Sequence, residues 1–470
     1  MGKKYIYLLK NIGLMTISNF TSKILSFLLV PLYTSVLSTE EYGIYDIYTT
    51  TAFLLIPLLS VCISNAALRF ALDKTNSNKD IFYICFVYFV RASIIIITLT
   101  CVNLIFGIFD IFNRYSVFFI LYYILCLASD IMTAFARGLE KIKEIAISGI
   151  LSSLTVITLN IILLLIFPMG IQGYFIANIM SFAVSVVYLV FRLKVWQFMG
   201  RTSKVKKLEK KMVKYSSPLI FDQIAWWINN VSDRYVVTWL CGTAANGIYS
   251  VAYKIPSILS IFQTIFNQAW ILSAVKEINE KNGDFYAMIY KMYNCVLVVI
   301  CSLLISNDKI IAKILYANEF YNAWEYAPFL TISVVFGCLS GVFEGIFAAK
   351  KETKIMAYTT IIGASVNTIL NVFFVRLIGP IGAAIATLIA YVLVWMVRIR
   401  GVKKLVALNI YLKRDVFSYF LLVIQAILLV SGKNLFRIYF IQWCLTISII
   451  ILYMQDFKNL VMTILKKHKD

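Results

Sequence analysis

Residues 39–69, TEEYGIYDIYTTTAFLLIPLLSVCISNAALR, and residues 243–273, TAANGIYSVAYKIPSILSIFQTIFNQAWILS, are two versions of one pattern. Each reaches Gly-Ile-Tyr after a short opening, Gly43-Ile44-Tyr45 and Gly247-Ile248-Tyr249, and then runs into a long apolar stretch. A second correspondence joins FARGLEKIKEIA, from Phe135, to FAAKKETKIMA, from Phe347. Each of these leads to an apolar stretch ending in Leu-Asn (Leu159-Asn160, Leu370-Asn371) and then to a turn with two glycines (Gly170 and Gly173, Gly379 and Gly382). The chain therefore carries an internal repeat, and the nature of the repeated unit follows from its composition.

Of 470 residues, 61% are hydrophobic and 14% charged, with a mean hydropathy of +0.84. Ordinary soluble domains carry about 25% charged residues. Apolar stretches of about 20 residues, each able to cross about 30 Å of hydrocarbon as a helix, recur along the whole chain. The reading is an all-α integral membrane protein of about 14 transmembrane helices. The spans run approximately over 12–37, 44–68, 81–109, 116–136, 145–167, 171–191, 215–240, 246–272, 286–306, 326–348, 355–375, 379–397, 415–432 and 438–454, numbered 1 to 14 in that order.

The great majority of the 44 Lys and Arg fall in alternate connections and at the two ends of the chain. Positive loops stay on the cytoplasmic side, so both termini are expected to be cytoplasmic. The net charge of +21 is then a consequence of topology and anionic headgroups, and no nucleic-acid partner follows from it. The basic, apolar opening MGKKYIYLLKNIGLM resembles a signal peptide, but it continues into a full span without a small-residue cleavage site and is expected to be a retained helix. Nine Cys lie in or at the ends of spans without Cys-x-x-Cys spacing, and the one His, His468, is in the tail. Neither a disulfide framework, nor a metal site, nor histidine chemistry is expected.

Spans 1–6 and 7–12 are the two copies, and an even number of spans per copy gives both the same orientation. Parallel six-helix repeats are an arrangement of transporters that bind substrate near the midplane. The expected organisation is an N-terminal lobe at 1–195, a basic cytoplasmic linker at 196–214, a C-terminal lobe at 215–400, and an additional two-helix segment with a basic tail at 401–470.

An ionised side chain at the centre of a bilayer costs at least about 2.5–3.5 kcal/mol, so charge within a span points to function. Span 7 holds Asp222, Gln223, Trp226, Asn229, Asn230, Asp233 and Arg234; span 8 adds Tyr249, Tyr253 and Lys254; span 1 has Asn19, Ser22, Lys23 and Ser26 on one face. Lys23, Arg234 and Lys254 all fall within about 8 Å of mid-span by residue count. Consecutive helical residues point about 100° apart, so Asp233 and Arg234 are poorly placed to satisfy one another through their side chains. One account is a structural ion pair, such as Asp233 with Lys254. The other is an anionic substrate met by the three cations, with Asn19, Asn230, Asp233, Tyr249 and Tyr253 as cavity partners. Arg69 at the end of span 2 and Arg91 on span 3 are weaker candidates for a cytoplasmic vestibule. Asp130 and Glu344, near the inner ends of spans 4 and 10, could pair with Arg137 and Lys350 as a gate. Pro31, Pro57 and Pro256 are placed to bend spans 1, 2 and 8.

PLYTSVLSTEEYGIYDIY (31–48) and WWINNVSDRYVVTWLCGTAANGIYSVAYKIP (226–256) resemble the polysaccharide transporters of the multidrug/oligosaccharidyl-lipid/polysaccharide exporter superfamily, the Wzx-type flippases. The resemblance covers about residues 8–400. It implies two six-helix lobes around a cationic cavity and the movement of an undecaprenyl-diphosphate-linked glycan between leaflets of a bacterial cytoplasmic membrane, for O-antigen or capsule assembly. The expected partners are the lipid-linked glycan, membrane lipids and other polysaccharide-assembly membrane proteins; no cofactor is expected, and a coupling ion (H⁺ or Na⁺), the membrane potential or glycan consumption could each give direction. Twelve spans are commoner in the superfamily, and the peptidoglycan-lipid flippases share the fourteen.

Two other functions compete. A cation-coupled multidrug antiporter would use the same scaffold, but an anionic cavity suits it better than a cationic one. A membrane-embedded polysaccharide polymerase or ligase would need an outer loop rich in acids or bases, and the longest outer loop, about 307–325, is modest. No nucleophile site or Gly-rich phosphate loop is present, so the expectation is a carrier and not an enzyme.

Overall fold

The computed structural model describes residues 27–73, 75–200, 205–276, 283–350, 352–406, 408–432 and 434–467. These residues are helical almost throughout, with no β-strand among them. Among the described residues, eleven helices are long and apolar enough to cross a membrane. They are spans 2–6 (Thr39–Leu59, Asn78–Phe106, Ser116–Gly138, Ile142–Ile166, Gly170–Leu193) and spans 9–14 (Phe285–Ser306, Ala327–Phe347, Lys354–Ile378, Pro380–Leu405, Leu412–Ser431, Phe436–Asp456). Span 7 (Leu219–Cys241) and span 8 (Thr243–Ala252 followed by Lys254–Lys276) are helical as well and carry the polar residues singled out above. Most of predicted span 1, with Asn19 and Lys23, lies outside the described residues; its last turns form the helix Val30–Val36. Large apolar side chains such as Ile94, Ile105, Phe373 and Ile447 are exposed on these helices, which suits a hydrocarbon surround and would be costly in water.

The chain divides into two compact units, Met1–Val231 and Ser232–Asp470, and the division falls inside span 7. In the first unit, Ser38 caps span 2: its hydroxyl accepts from the Glu41 amide, and the Glu41 carboxylate accepts from the Ser38 amide. Span 2 is broken where the sequence suggested a bend. Its first helix ends at Leu59, two residues after Pro57, the backbone passes through left-handed conformations at Val61 and Cys62, and a second helix runs from Ile63 to Ala71. The linker also forms a helix, Val205–Ser216, which buries Val205, Leu208 and Met212 and packs on Ile63–Ala71 and on span 3.

The second unit breaks its equivalent helix as well, at Tyr253. Pro256 has no N–H to offer the Ala252 carbonyl, so the helical ladder stops and restarts within the first turn of Lys254–Lys276. The glycines of the repeat have equivalent packing jobs. A Cβ on Gly173 would lie 2.9 Å from the Leu163 carbonyl oxygen, and one on Gly382 would lie 2.4 Å from the Phe374 carbonyl carbon and oxygen. Only glycine lets span 6 close on span 5, and span 12 on span 11, at these points.

Candidate functional site

Span 7 rises from Leu219 with a polar sequence that would solvate poorly in lipid unless each group found a partner. In the first unit, the Asn229 and Asn230 amides donate to the Ala225 and Trp226 carbonyls of their own helix, at 3.2 and 2.7 Å. The Trp227 indole donates to the Thr50 carbonyl of span 2 at 2.9 Å. Asn230, expected as a cavity partner, therefore spends one donor on its own helix.

Asp233 lies in the second unit and is buried. Its Oδ2 accepts from the Tyr249 hydroxyl at 2.8 Å and from the Tyr253 hydroxyl at 2.5 Å, while its Oδ1 accepts from the Arg234 amide at 2.9 Å. The two tyrosines are one turn apart on span 8, with rings edge to face at 5.6 Å. The guanidinium carbon of Arg234 lies 5.3 Å from the centroid of the Tyr253 ring. Thus the sequence expectation that Arg234 and Asp233 would not pair side chain to side chain has a specific form: the carboxylate takes the Arg234 main-chain N–H, and the guanidinium takes an aromatic face. The break at Tyr253 matters to this site, because it sets the two halves of span 8 apart just where Tyr253 and Lys254 stand. Lys254 is half-buried at the start of the second half. Asp233, Arg234, Tyr249 and Tyr253 are thereby brought together, as four of the residues expected from sequence. Lys23 and Asn19 lie outside the described residues.

The weaker candidates fall elsewhere. In the first unit, Arg69 is exposed near Asp73, whose carboxyl is held below its usual range by the Thr75 hydroxyl and amide, with Arg69 and Lys211 adding to the effect. Arg91 stands 3.8 Å from Glu209 of the linker helix and over the Tyr88 ring. Asp130 stands near Ser64 and Arg137 of its own unit. In the second unit, Glu344 meets Arg398 of span 12, with Nη1 2.6 Å from Oε1, in place of the Lys350 expected from sequence. Arg398 is buried and also donates to Thr359, Thr360 and the Ser340 carbonyl. A guanidinium satisfied on every side from spans 10, 11 and 12 fixes their inner ends together, so Glu344 is part of a clamp within one unit.

Sequence reasoning passed over the polar seam of the last two spans. Gln425 bonds Ser302, Ser306 and Thr446, and Gln442 returns a bond to the Gln425 carbonyl at 2.7 Å. Toward the other end of the seam Arg414 reaches Asp415 at 3.1 Å and Asp456 at 2.7 Å, and Asp415 accepts from Tyr453 at 3.0 Å. Tyr453 in turn accepts from Asn294 of span 9 at 3.0 Å. The available signal was the spacing Asp415, Ser418, Gln425 on span 13 and Gln442, Thr446, Tyr453, Asp456 on span 14, one polar stripe on each. In spans 11 and 12, Asn367 donates to Thr387 at 3.1 Å and accepts from Asn371. Among the described residues no group of three His, Cys, Asp or Glu is placed to hold a metal ion.

The sequence matches the model of a family described as polysaccharide biosynthesis protein over residues 8–272, and a MatE model over residues 218–373. No curated protein matches the chain at the level of sequence. Among solved structures, the lipid II flippase MurJ in an inward closed conformation is 17% identical with a TM-score of 0.73, covering 95% of this chain and 99% of its own. An inward-facing multidrug resistance MATE family transporter of the MOP superfamily is 12% identical with a TM-score of 0.66, covering 88% and 96%. A MOP superfamily transporter from Pyrococcus furiosus, described as having a binding pocket of reverse polarity, is 13% identical with a TM-score of 0.57, covering 90% and 97%. The multi-pass helical fold is the one these solved structures have.

Proposed function

The chain belongs to the polysaccharide biosynthesis protein family, and from that premise we propose that it moves an undecaprenyl-diphosphate-linked oligosaccharide from the inner to the outer leaflet of a bacterial cytoplasmic membrane. It does so by alternating access, as a carrier and not as an enzyme. The observation that carries this reading is the anchoring of Asp233 by Tyr249 and Tyr253 with Arg234 laid on the Tyr253 ring. A carboxylate with three donors is fixed in place, and it fixes the ring that holds the guanidinium. The planar fork of Arg is suited to two phosphate oxygens at once. Lys254, one residue beyond Tyr253, adds a further cation of the kind a diphosphate calls for, and Lys23, singled out from sequence as a third, lies outside the described residues. Similarity in fold to a lipid II flippase supports the same class of substrate. Coupling to H⁺ or Na⁺, the membrane potential or consumption of the glycan would each give the movement direction, and the partners are the lipid-linked glycan, membrane lipids and other membrane proteins of polysaccharide assembly.

The MatE match over 218–373 favours a second reading, a cation-coupled multidrug antiporter on the same scaffold. Purified protein in sealed vesicles distinguishes the two. A lipid-diphosphate glycan placed in one leaflet becomes accessible to an impermeant periodate or lectin probe on the other side if the first reading holds. Efflux of cationic dyes without glycan movement would replace it by the second.

A further inference from the structure

The linker helix Val205–Ser216 presents Lys206, Lys207, Lys210, Lys211 and Lys214, all exposed, along the face opposite its buried Val205, Leu208 and Met212. Five positive charges on a helix of 12 residues repel one another, and such a face persists best where something anionic covers it. The described residues do not supply that cover. Among the described residues none of the five lysines forms an ion pair. The one acid on the helix, Glu209, is turned to Arg91 at 3.8 Å and to the Tyr88 hydroxyl at 3.3 Å. Lys211 adds only to the field at Asp73, which already takes two hydrogen bonds from Thr75.

The surroundings of the helix narrow what could cover the lysines. The helix packs on Ile63–Ala71 and on span 3, at the ends of spans 2 and 3 that the distribution of Lys and Arg puts on the cytoplasmic side. Its last residue, Ser216, stands just before span 7. Exposed aromatic side chains stand at the two ends of this stretch of sequence, Trp196 where the linker begins and Tyr215 near the end of the helix, and amphipathic rings are favoured at a headgroup boundary. Tyr215 is held there edge-on against Phe70 at 6.0 Å. An amphipathic, lysine-rich helix next to spans matches the chemistry of anionic lipid recognition.

We propose that the lysine face of Val205–Ser216 is a docking surface for the anionic phospholipid headgroups of the cytoplasmic leaflet. It pins the linker between the two repeats to the membrane surface by charge, and it is independent of which substrate the carrier moves.

The test uses the full chain reconstituted in vesicles of equal phosphatidylcholine and phosphatidylglycerol, extracted in mild detergent, with co-purified lipids quantified. Wild type is expected to retain phosphatidylglycerol over phosphatidylcholine by about threefold or more, an effect that fades in high salt. K206Q, K207Q, K210Q, K211Q and K214Q combined should lose most of this enrichment, and the same five sites changed to Arg should keep it. A control with Lys350, Lys354, Lys403 and Lys404 changed to Gln should retain the wild-type ratio. A five-Gln variant that is monodisperse and still enriches phosphatidylglycerol like wild type overturns the proposal. So does displacement of the lipid by inorganic phosphate beyond that by chloride at equal ionic strength, which would make a free phosphate the occupant.

Discussion

The hydroxyl of Tyr253 donates to Oδ2 of Asp233 at 2.5 Å, and the ring that carries this hydroxyl lies 5.3 Å below the guanidinium of Arg234. One tyrosine thus links a buried acid to the cation beside it in sequence. The link depends on the break in span 8, because Tyr253 is the residue between its two helices.

Tyr253→Phe keeps the ring and removes the donor. A buried carboxylate losing one of three hydrogen bonds is expected to cost about 1–3 kcal/mol, read as a lower melting temperature of the purified protein. Tyr249→Phe should cost a similar amount and leave Arg234 on its ring. If both variants melt like wild type, the two hydroxyls do not hold Asp233.

Arg234→Ala and Lys23→Ala are each expected to abolish glycan transport while the protein stays abundant in the membrane. Arg234→Lys should restore only part of it, since a fork becomes a point charge. Vesicle flipping assays on protein matched for amount decide this; undiminished transport by both Ala variants removes the cationic site.

Cysteine labelling tests the sidedness on which these arguments rest. With the exposed Cys101, Cys241 and Cys444 replaced, an impermeant maleimide added outside cells should label residues substituted at 38–41 and spare those at 206–211. The opposite pattern would exchange inside and outside.

Gly382→Ala is expected to be destabilising by about 1–3 kcal/mol or more, because the added methyl meets main-chain atoms that cannot step aside. Gly173→Ala should follow with a smaller effect. At Gly200 nothing among the described residues lies within 4 Å, so Ala there should be neutral. Thermal unfolding of the three variants in one detergent orders them, and equal melting temperatures would contradict the close approach of the helices.

Asp308 begins the short helix after span 9, outside the membrane-spanning segments, and is buried with its Oδ2 lacking a hydrogen-bond partner among the described residues. Burial pushes its carboxyl well above the usual carboxylate range, with Lys309 opposing. A folded-state pKa raised above the unfolded value means stability that is full below the unfolded pKa and lost as pH rises through the folded one. Asp308→Asn should therefore raise the melting temperature at about pH 8 and make little difference near about pH 4. A gain of equal size at both pH values would show that the charge is not the cause.

Much of this was legible beforehand. Spans 2–6 and 9–14 could be read from apolar length, because a helix in lipid must bury its whole backbone in its own hydrogen bonds and so announces itself by composition. The breaks in spans 2 and 8 stood in Pro57 and Pro256, and the close helix pairs in Gly173 and Gly382, since each of these residues constrains its own backbone whatever surrounds it. Asp233, Arg234, Tyr249 and Tyr253 could be picked out as costly polar groups in lipid.

Their pairing could not. Periodicity gives the face of a helix on which a residue stands, but a partner is chosen by the rotation and depth of another helix, which no local pattern encodes. Glu344 finds Arg398 rather than the nearby Lys350 because span 12 packs against span 10 at that height. Arg414 sits between Asp415, its neighbour in sequence, and Asp456 at the far end of span 14 for the same reason. The sequence determined by itself that this chain lives in a membrane, repeats and carries charge where charge is costly. The tertiary structure alone decided which of those charges answer one another, since hydrogen bonds reach about 3 Å and only packing brings distant residues that close.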